Sequence, residues 1–202
     1  EDGKTLLTCL TSPLGRILDV WRLFQEPDSL AIVTLPGSGD KTFAYLRSRI
    51  FFMDKVSIQD RSGDFIQLHL LGLQAGQMIR RLGLDLHLEP GQSGRISRRE
   101  GDLLVWGDHP AILPGYGVLA PAESAGSLLR ELENEGAFQL DEAGYQALRV
   151  ELGLPSAGAE LTEDFNPFEV GLAAAVSDQK GCYTGQEVLA RQVTYDKVTQ
   201  RL

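Results

Sequence analysis

Lysine, cysteine and tyrosine crowd together at Lys180-Gly181-Cys182-Tyr183, directly ahead of Thr184-Gly185-Gln186-Glu187. The nucleophilic and metal-binding form of cysteine is the thiolate, so the question is what would favour ionisation of Cys182. Thr184 and Glu187 have the spacing of a capping box, and the apolar Val188-Leu189-Ala190 run follows, so a helix is predicted to start here. The unbonded N–H groups and dipole of that helix would put partial positive charge near Cys182. Lys180 adds a full positive charge two residues away, which makes Cys182 and Lys180 a candidate reactive pair. The same residues would equally serve as a glycine turn entering a helix around an inert, buried cysteine. Tyr183 offers a ring that could stack on a flat ligand or plug a core. Arg191 stands four residues after Glu187, the spacing of a helical ion pair.

The string Lys180-Gly181-Cys182-Tyr183-Thr184-Gly185-Gln186-Glu187, followed by Ala190-Arg191, resembles the signature of the YgfZ-type folate-binding proteins, relatives of the glycine cleavage T-protein. Other stretches are similar in the same order. Thr11-Ser12-Pro13-Leu14-Gly15-Arg16-Ile17 looks like an early hairpin of that family. Leu148-Arg149-Val150-Glu151-Leu152-Gly153-Leu154-Pro155 looks like a later segment, and Glu163, Asn166-Pro167 and Glu169 resemble the loop before the signature. The resemblance covers nearly the whole chain.

What it implies is an α+β, aminomethyltransferase-like folate-binding fold with largely antiparallel sheets and flanking helices. The implied cofactor is tetrahydrofolate. The implied role is a cytoplasmic accessory factor, more a binding protein than an enzyme, for assembly or repair of iron–sulfur enzymes, including those that modify tRNA. The alternatives are a folate-dependent, aminomethyltransferase-like one-carbon enzyme and a folate-free interaction protein that keeps only the fold. Tyr183, Gln186, Glu187 and Arg191 would surround the folate. A pterin presents an N–H edge that a carboxylate can bind at two points, and Glu151, Glu163 and Glu169 are the acids in matching segments. T-proteins carry such a glutamate in a glycine-aromatic-glutamate strand. The comparable Gly115-Tyr116-Gly117-Val118 has no acid at that place, and no matched motif supplies a general base. Relatives continue before Glu1 and after Leu202, so the chain reads as a stretch truncated at both ends. A complete protein is expected to bind folate, and this stretch alone to bind it poorly. Within it, residues 1–150 read as the central folate-binding region and 151–202 as a loop plus the signature helix.

Composition sets the outer bounds. The 202 residues are 43% hydrophobic and 23% charged, ordinary globular chemistry. Nineteen basic against 28 acidic residues give a net charge of −9, which argues against a broad nucleic-acid footprint. Arg95, Arg98 and Arg99 are a local exception, read as a solvated hairpin end or as a contact for phosphate or polyglutamate. Two cysteines far apart in sequence are no disulfide framework, so a reducing compartment is expected. His69, His87 and His109 are dispersed, with no metal-ligand spacing to a cysteine, so no metal site is expected. No apolar run approaches the length of about 18 residues that a membrane span needs.

Apolar runs at 6–10, 17–24 and 30–35 predict three strands, the first two joined by Ser12-Pro13-Leu14-Gly15. Phe43, Leu46, Ile50 and Met53 predict one helix face, capped by Asp40. Residues 56–60 and 65–71 predict a hairpin turned by Arg61-Ser62-Gly63-Asp64, followed by a short helix at 74–82. Short strands are expected at 103–106 and 118–120. Helices are expected at 121–133, with a stripe of Leu128, Leu129 and Leu132, and at 141–152, with Tyr145, Leu148 and Leu152. Residues 153–180 read as a long loop, of the kind that is usually functional or disordered.

Overall fold

The computed structural model describes residues 3–85, 87–108, 113–177, 179–195 and 198, so His109 lies outside the described residues. The chain divides into two compact units. One comprises 1–5 with 61–154, the other 6–60 with 155–202. The stretch 1–150 is therefore not one body: its first third folds with the residues after 154.

The unit built on 61–154 holds a four-stranded sheet in the order β4-β7-β6-β5, where β4 is Phe65–Leu71, β5 Ser93–Ile96, β6 Leu103–Gly107 and β7 Gly115–Pro121. All three pairings are antiparallel. Every residue of β6 is buried, as expected for the central Leu-Leu-Val-Trp-Gly run. Helix α2, Ala75–Arg81, brings Met78 and Ile79 to the core, and α3, Ala125–Asn134, brings Leu128 and Leu132. Burying each such leucine contributes about 1.5–3 kcal/mol, so α3 is held by packing. Helix α4, Glu142–Glu151, buries no residue at all. Its predicted apolar stripe is half exposed, and its start is fixed instead by Asp141, whose carboxylate accepts from Gly144 N at 2.8 Å.

The predicted hairpin of 56–60 with 65–71 does not form. Residues 56–60 make no strand, and β4 pairs with β7 over its whole length. Strand β5 was hidden by its glycine and its arginine. Arg98, just beyond it, is no solvated charge: it holds both oxygens of Glu131, at 2.6 and 3.2 Å, and donates to Leu82 O at 3.0 Å.

In the other unit, β1 (Thr5–Thr11, from Leu6 onward in this unit), β2 (Ile17–Gln25) and β3 (Leu30–Val33) form a sheet in that order. Ile17, Val20 and Val170 centre its core, with Leu7, Cys9, Leu35, Leu161, Phe165 and Leu172 around them. Helix α1, Gly39–Arg47, stops before Ile50 and Met53. The apolar spacing continued, but Ser48 Oγ takes the carbonyl of Tyr45 at 2.7 Å and Asp54 accepts from Phe51 N at 2.8 Å. These local bonds turn the chain away from the helix and leave Phe52 and Met53 exposed. Helix α5, Gln186–Thr194, carries the signature.

One glycine in the four-stranded sheet is fixed by close approach. A Cβ on Gly117 would lie 2.0 Å from Cε2 of Trp106, which is itself 1% exposed. Gly117→Ala is expected to cost about 3 kcal/mol. Urea unfolding measures this, and a loss below about 1 kcal/mol would show that the indole can move aside.

Candidate functional site

Three of the segments singled out in the sequence meet in the second unit: the β1–β2 turn, the loop 162–170 and the start of α5. The turn is closed by Ser12 N donating to Arg16 O at 2.9 Å and Gly15 N donating to Ser12 O at 2.9 Å. The α5 start rests against it. Gly185, the N-cap of α5, has φ +83°, and a Cβ there would stand 2.5 Å from Ser12 O and 3.0 Å from Cα of Gly15. Only a residue with no side chain fits both the left-handed conformation and that gap. Thr11 Oγ1 donates to Thr184 O at 2.6 Å, and Leu189, 1% exposed, packs beside Gly15.

The predicted capping box is not what starts the helix. No side chain caps α5; Thr184 contributes its carbonyl to Thr11, and Glu187 is exposed. The α5 start is placed instead by the close approach of Gly185 to the β1–β2 turn and by the bond from Thr11 to Thr184 O.

The loop joins the same turn from the other side. Ile17 N donates to Phe165 O at 3.0 Å, and Arg16 Nη1 donates to Asp164 O at 2.8 Å and to Glu169 Oε2 at 3.2 Å. Glu169 Oε2 also accepts from Asn166 N at 2.8 Å, while Asn166 Oδ1 accepts from Phe168 N and Glu169 N. Asn166 is 1% exposed.

Cys182 and Lys180 lie in the exposed loop before α5, Cys182 among polar neighbours and outside any apolar stripe. The Lys180 ammonium sits over the Tyr183 ring, 4.5 Å from its centroid, a cation–π contact that leaves one face of the half-buried ring occupied. Gln186 is half-buried. Glu187 and Arg191 form an i,i+4 pair at 4.0 Å, both largely exposed, so it adds little to stability. Glu163 is exposed; Glu169 is committed to Arg16 and Asn166. Glu151 belongs to the other unit, at the exposed end of α4. A cleft of about 630 Å³ is lined by Arg61, Phe65, Arg95, Glu100 and Glu123, all of that other unit; of the residues singled out in the sequence it includes Arg95 and none of the folate-site candidates.

Cys9 contrasts with Cys182. It is half-buried on β1, and burial pushes its thiol up to about 12; the Asp19 carboxylate adds to the rise and the Lys180 ammonium opposes it. Asp19 itself went unremarked in the sequence, although a lone acid inside Ile17-Leu18-Asp19-Val20-Trp21 is a signal of a buried, bonded carboxylate. It is 1% exposed and accepts from Val20 N, Leu35 N, Trp21 Nε1 and the Thr42 hydroxyl. Among the described residues no group of three or more His, Cys, Asp and Glu could hold a metal ion, and no helix is long and apolar enough to cross a membrane.

The chain has the aminomethyltransferase fold. A crystal structure of the glycine cleavage system aminomethyltransferase T from Bartonella henselae superposes with a TM-score of 0.76 over 96% of this chain and 54% of that one, at 21% identity. Within that fold the sequence is similar to YgfZ-type proteins. The tRNA-modifying protein YgfZ of Escherichia coli O157:H7 is 27% identical over 94% of this chain and 56% of its own length. A chloroplastic protein of Arabidopsis thaliana, described as a putative transferase, is 30% identical over 100% of this chain and 47% of its own length. The resemblance read from Lys180–Arg191 is thus borne out, and the chain spans about half the length of these relatives. No family model matches the chain.

Two outcomes are expected. Gly185→Ala combines a left-handed backbone with a clash against Ser12 O, and should cost about 2–4 kcal/mol, whereas Gly181→Ala, with nothing within 4 Å, should stay within about 0.5 kcal/mol. Equal melting of the two variants would contradict the docking of Gly185. Iodoacetamide between pH 7 and 9 should label Cys182 on the order of 100-fold faster than Cys9. Because Cys9 titrates near 9 when unfolded and near 12 when folded, the stability it contributes is present below about 9 and lost as pH rises toward 12. Comparable labelling of both thiols in the folded protein would refute this.

Proposed function

We propose that this chain works in a tetrahydrofolate-binding accessory protein that supports assembly or repair of iron–sulfur enzymes, including enzymes that modify tRNA. The observation that carries the reading is that the YgfZ-like segments 11–17, 163–169 and 180–191 converge in one unit and leave the Cys182 thiol on the solvent side of a polar turn. The chemistry of the group fits a folate: Tyr183 and Gln186 are half-buried, a ring and an amide suited to a flat heterocycle, and Glu163 is an exposed carboxylate in the loop leading to them. Bound tetrahydrofolate would supply a reduced pterin able to carry a one-carbon unit.

The chain's own residues would then have separate tasks. Tyr183 would offer a ring face, Glu163 a carboxylate for the N–H edge of a pterin, and Gln186 an amide for hydrogen bonding. Lys180, braced on Tyr183, keeps a positive charge near the Cys182 thiol, and Glu187 and Arg191 keep the outer face of α5 solvated. Glu151 is a weaker candidate, since it stands on α4 in the other unit. The location of the protein in the cytoplasm is part of the same proposal.

An aminomethyltransferase-like enzyme is the second reading, favoured by the fold alone. The two readings part on turnover: the second requires formaldehyde or aminomethyl transfer from a glycine-derived donor.

Calorimetric titration of the protein, in its full gene-encoded length, with tetrahydrofolate tests the first reading. Binding is expected, and Glu163→Gln should weaken it by about 1.5–3 kcal/mol, the loss of a charge-assisted hydrogen bond. Absence of binding sinks the folate assignment, and an unchanged affinity removes Glu163 alone. Cys182→Ala should melt within about 1 kcal/mol of the parent, because the side chain is exposed, yet fail to sustain growth under oxidative stress. Normal growth would remove Cys182 from the working residues.

A further inference from the structure

Arg16 and Glu169 are joined at 3.2 Å with side-chain exposures of 40% and 17%, so the pair is partly withdrawn from water and less screened than a rim contact. Each partner is also tied to backbone. Arg16 Nη1 holds Asp164 O, and Glu169 Oε2 holds Asn166 N, so the pair clamps the β1–β2 turn to the loop 162–170. Arg16 N in turn donates to Ser12 Oγ at 3.2 Å, and Ser12 O and Gly15 are the surface on which Gly185 rests. A continuous set of bonds therefore runs from Glu169 through Arg16 into the turn, on which Gly185, the N-cap of α5, rests by close approach.

We propose that Arg16 and Glu169 are a positioning pair that, through the Ser12–Gly15 turn, sets where α5 begins and so where Cys182 and Tyr183 stand. The importance of that placement rests on the function proposed above; the coupling itself does not. Glu169 then acts without touching a ligand, which distinguishes it from Glu163. The pair has two arrangements of consequence. With it closed, the turn presents a fixed carbonyl and Gly185 can dock in its left-handed conformation. With it broken, the turn loses its brace to the loop and the α5 start frays, because no side-chain cap holds that end.

Native-state hydrogen exchange followed by mass spectrometry reads this directly, on the parent, Glu169→Gln, Arg16→Gln, Arg16→Lys and the swap Arg16→Glu with Glu169→Arg. Exchange over 184–189 is expected to quicken at least about tenfold in the two Gln variants. Arg16→Lys, which keeps the charge but not the planar fork, should fall between. The swap should recover part of the protection, and β2 and β3 should exchange as in the parent in every variant. Should a Gln variant fail to fold, Arg16→Lys and the swap still report. Unchanged exchange at 184–189, or equal acceleration throughout β2 and β3, overturns the proposal. Tetrahydrofolate titration of the same proteins separates the two claims. If the parent binds and Glu169→Gln loses affinity with unaltered exchange, Glu169 touches the ligand and the positioning role is wrong. If the parent does not bind but the exchange pattern holds, the pair stands and the folate reading falls.

Discussion

The approach of Gly185 to the Ser12 carbonyl is the constraint on which the arrangement of this unit depends. Backbone meets backbone there, at a separation that a single methyl group would close to 2.5 Å. Helices usually recruit a side-chain oxygen to cap their first N–H groups. Here no side chain caps the end, and a left-handed glycine packed on a neighbouring turn fixes where α5 starts. Every feature of the signature on either side follows: Leu189 is carried into the core one turn later, and Cys182 is left outside it.

The two cysteines show how differently one unit can treat the same side chain. Cys9 lies among apolar neighbours, with the Asp19 carboxylate near enough to oppose its ionisation, and its burial makes it an inert packing group. Cys182 follows a glycine in a polar loop with the Lys180 charge two residues away. The cation–π contact matters for that charge, because it anchors a side chain that would otherwise sweep freely through solvent. Asp19, for its part, is an acid whose burial is offset by its donors, and it ties β2 to Leu35 and to Thr42 of α1.

Much of this was legible from residue types. The apolar runs at 6–10, 17–24 and 65–71 do form strands, and the motif at 180–191 does lead into a helix. What was not legible has identifiable causes. The spacing of Phe43, Leu46, Ile50 and Met53 satisfied a helical period, but local bonds from Ser48 and Asp54 ended α1 early. Tyr145, Leu148 and Leu152 had the same period on α4, yet no element buries them, since periodicity reports a face and not its partner. Thr184 and Glu187 matched a capping box by spacing alone; the glycine between them had already committed the backbone elsewhere. The division after residues 5, 60 and 154 depends on which strands pair, a long-range choice that no local pattern encodes. Glu169 stands in a motif-like segment, and nothing in the sequence shows its bonds to Arg16 and Asn166.

The central claim is that the converging segments of the second unit form a working site for a reduced folate. Hydrogen-exchange footprinting of the protein with and without saturating tetrahydrofolate tests it most directly. The account predicts added protection in peptides covering 11–17, 163–169 and 183–191, with the strands β4, β6 and β7 unaffected. Protection centred instead on the cleft beside Arg61 and Arg95, or no protection anywhere, would contradict it.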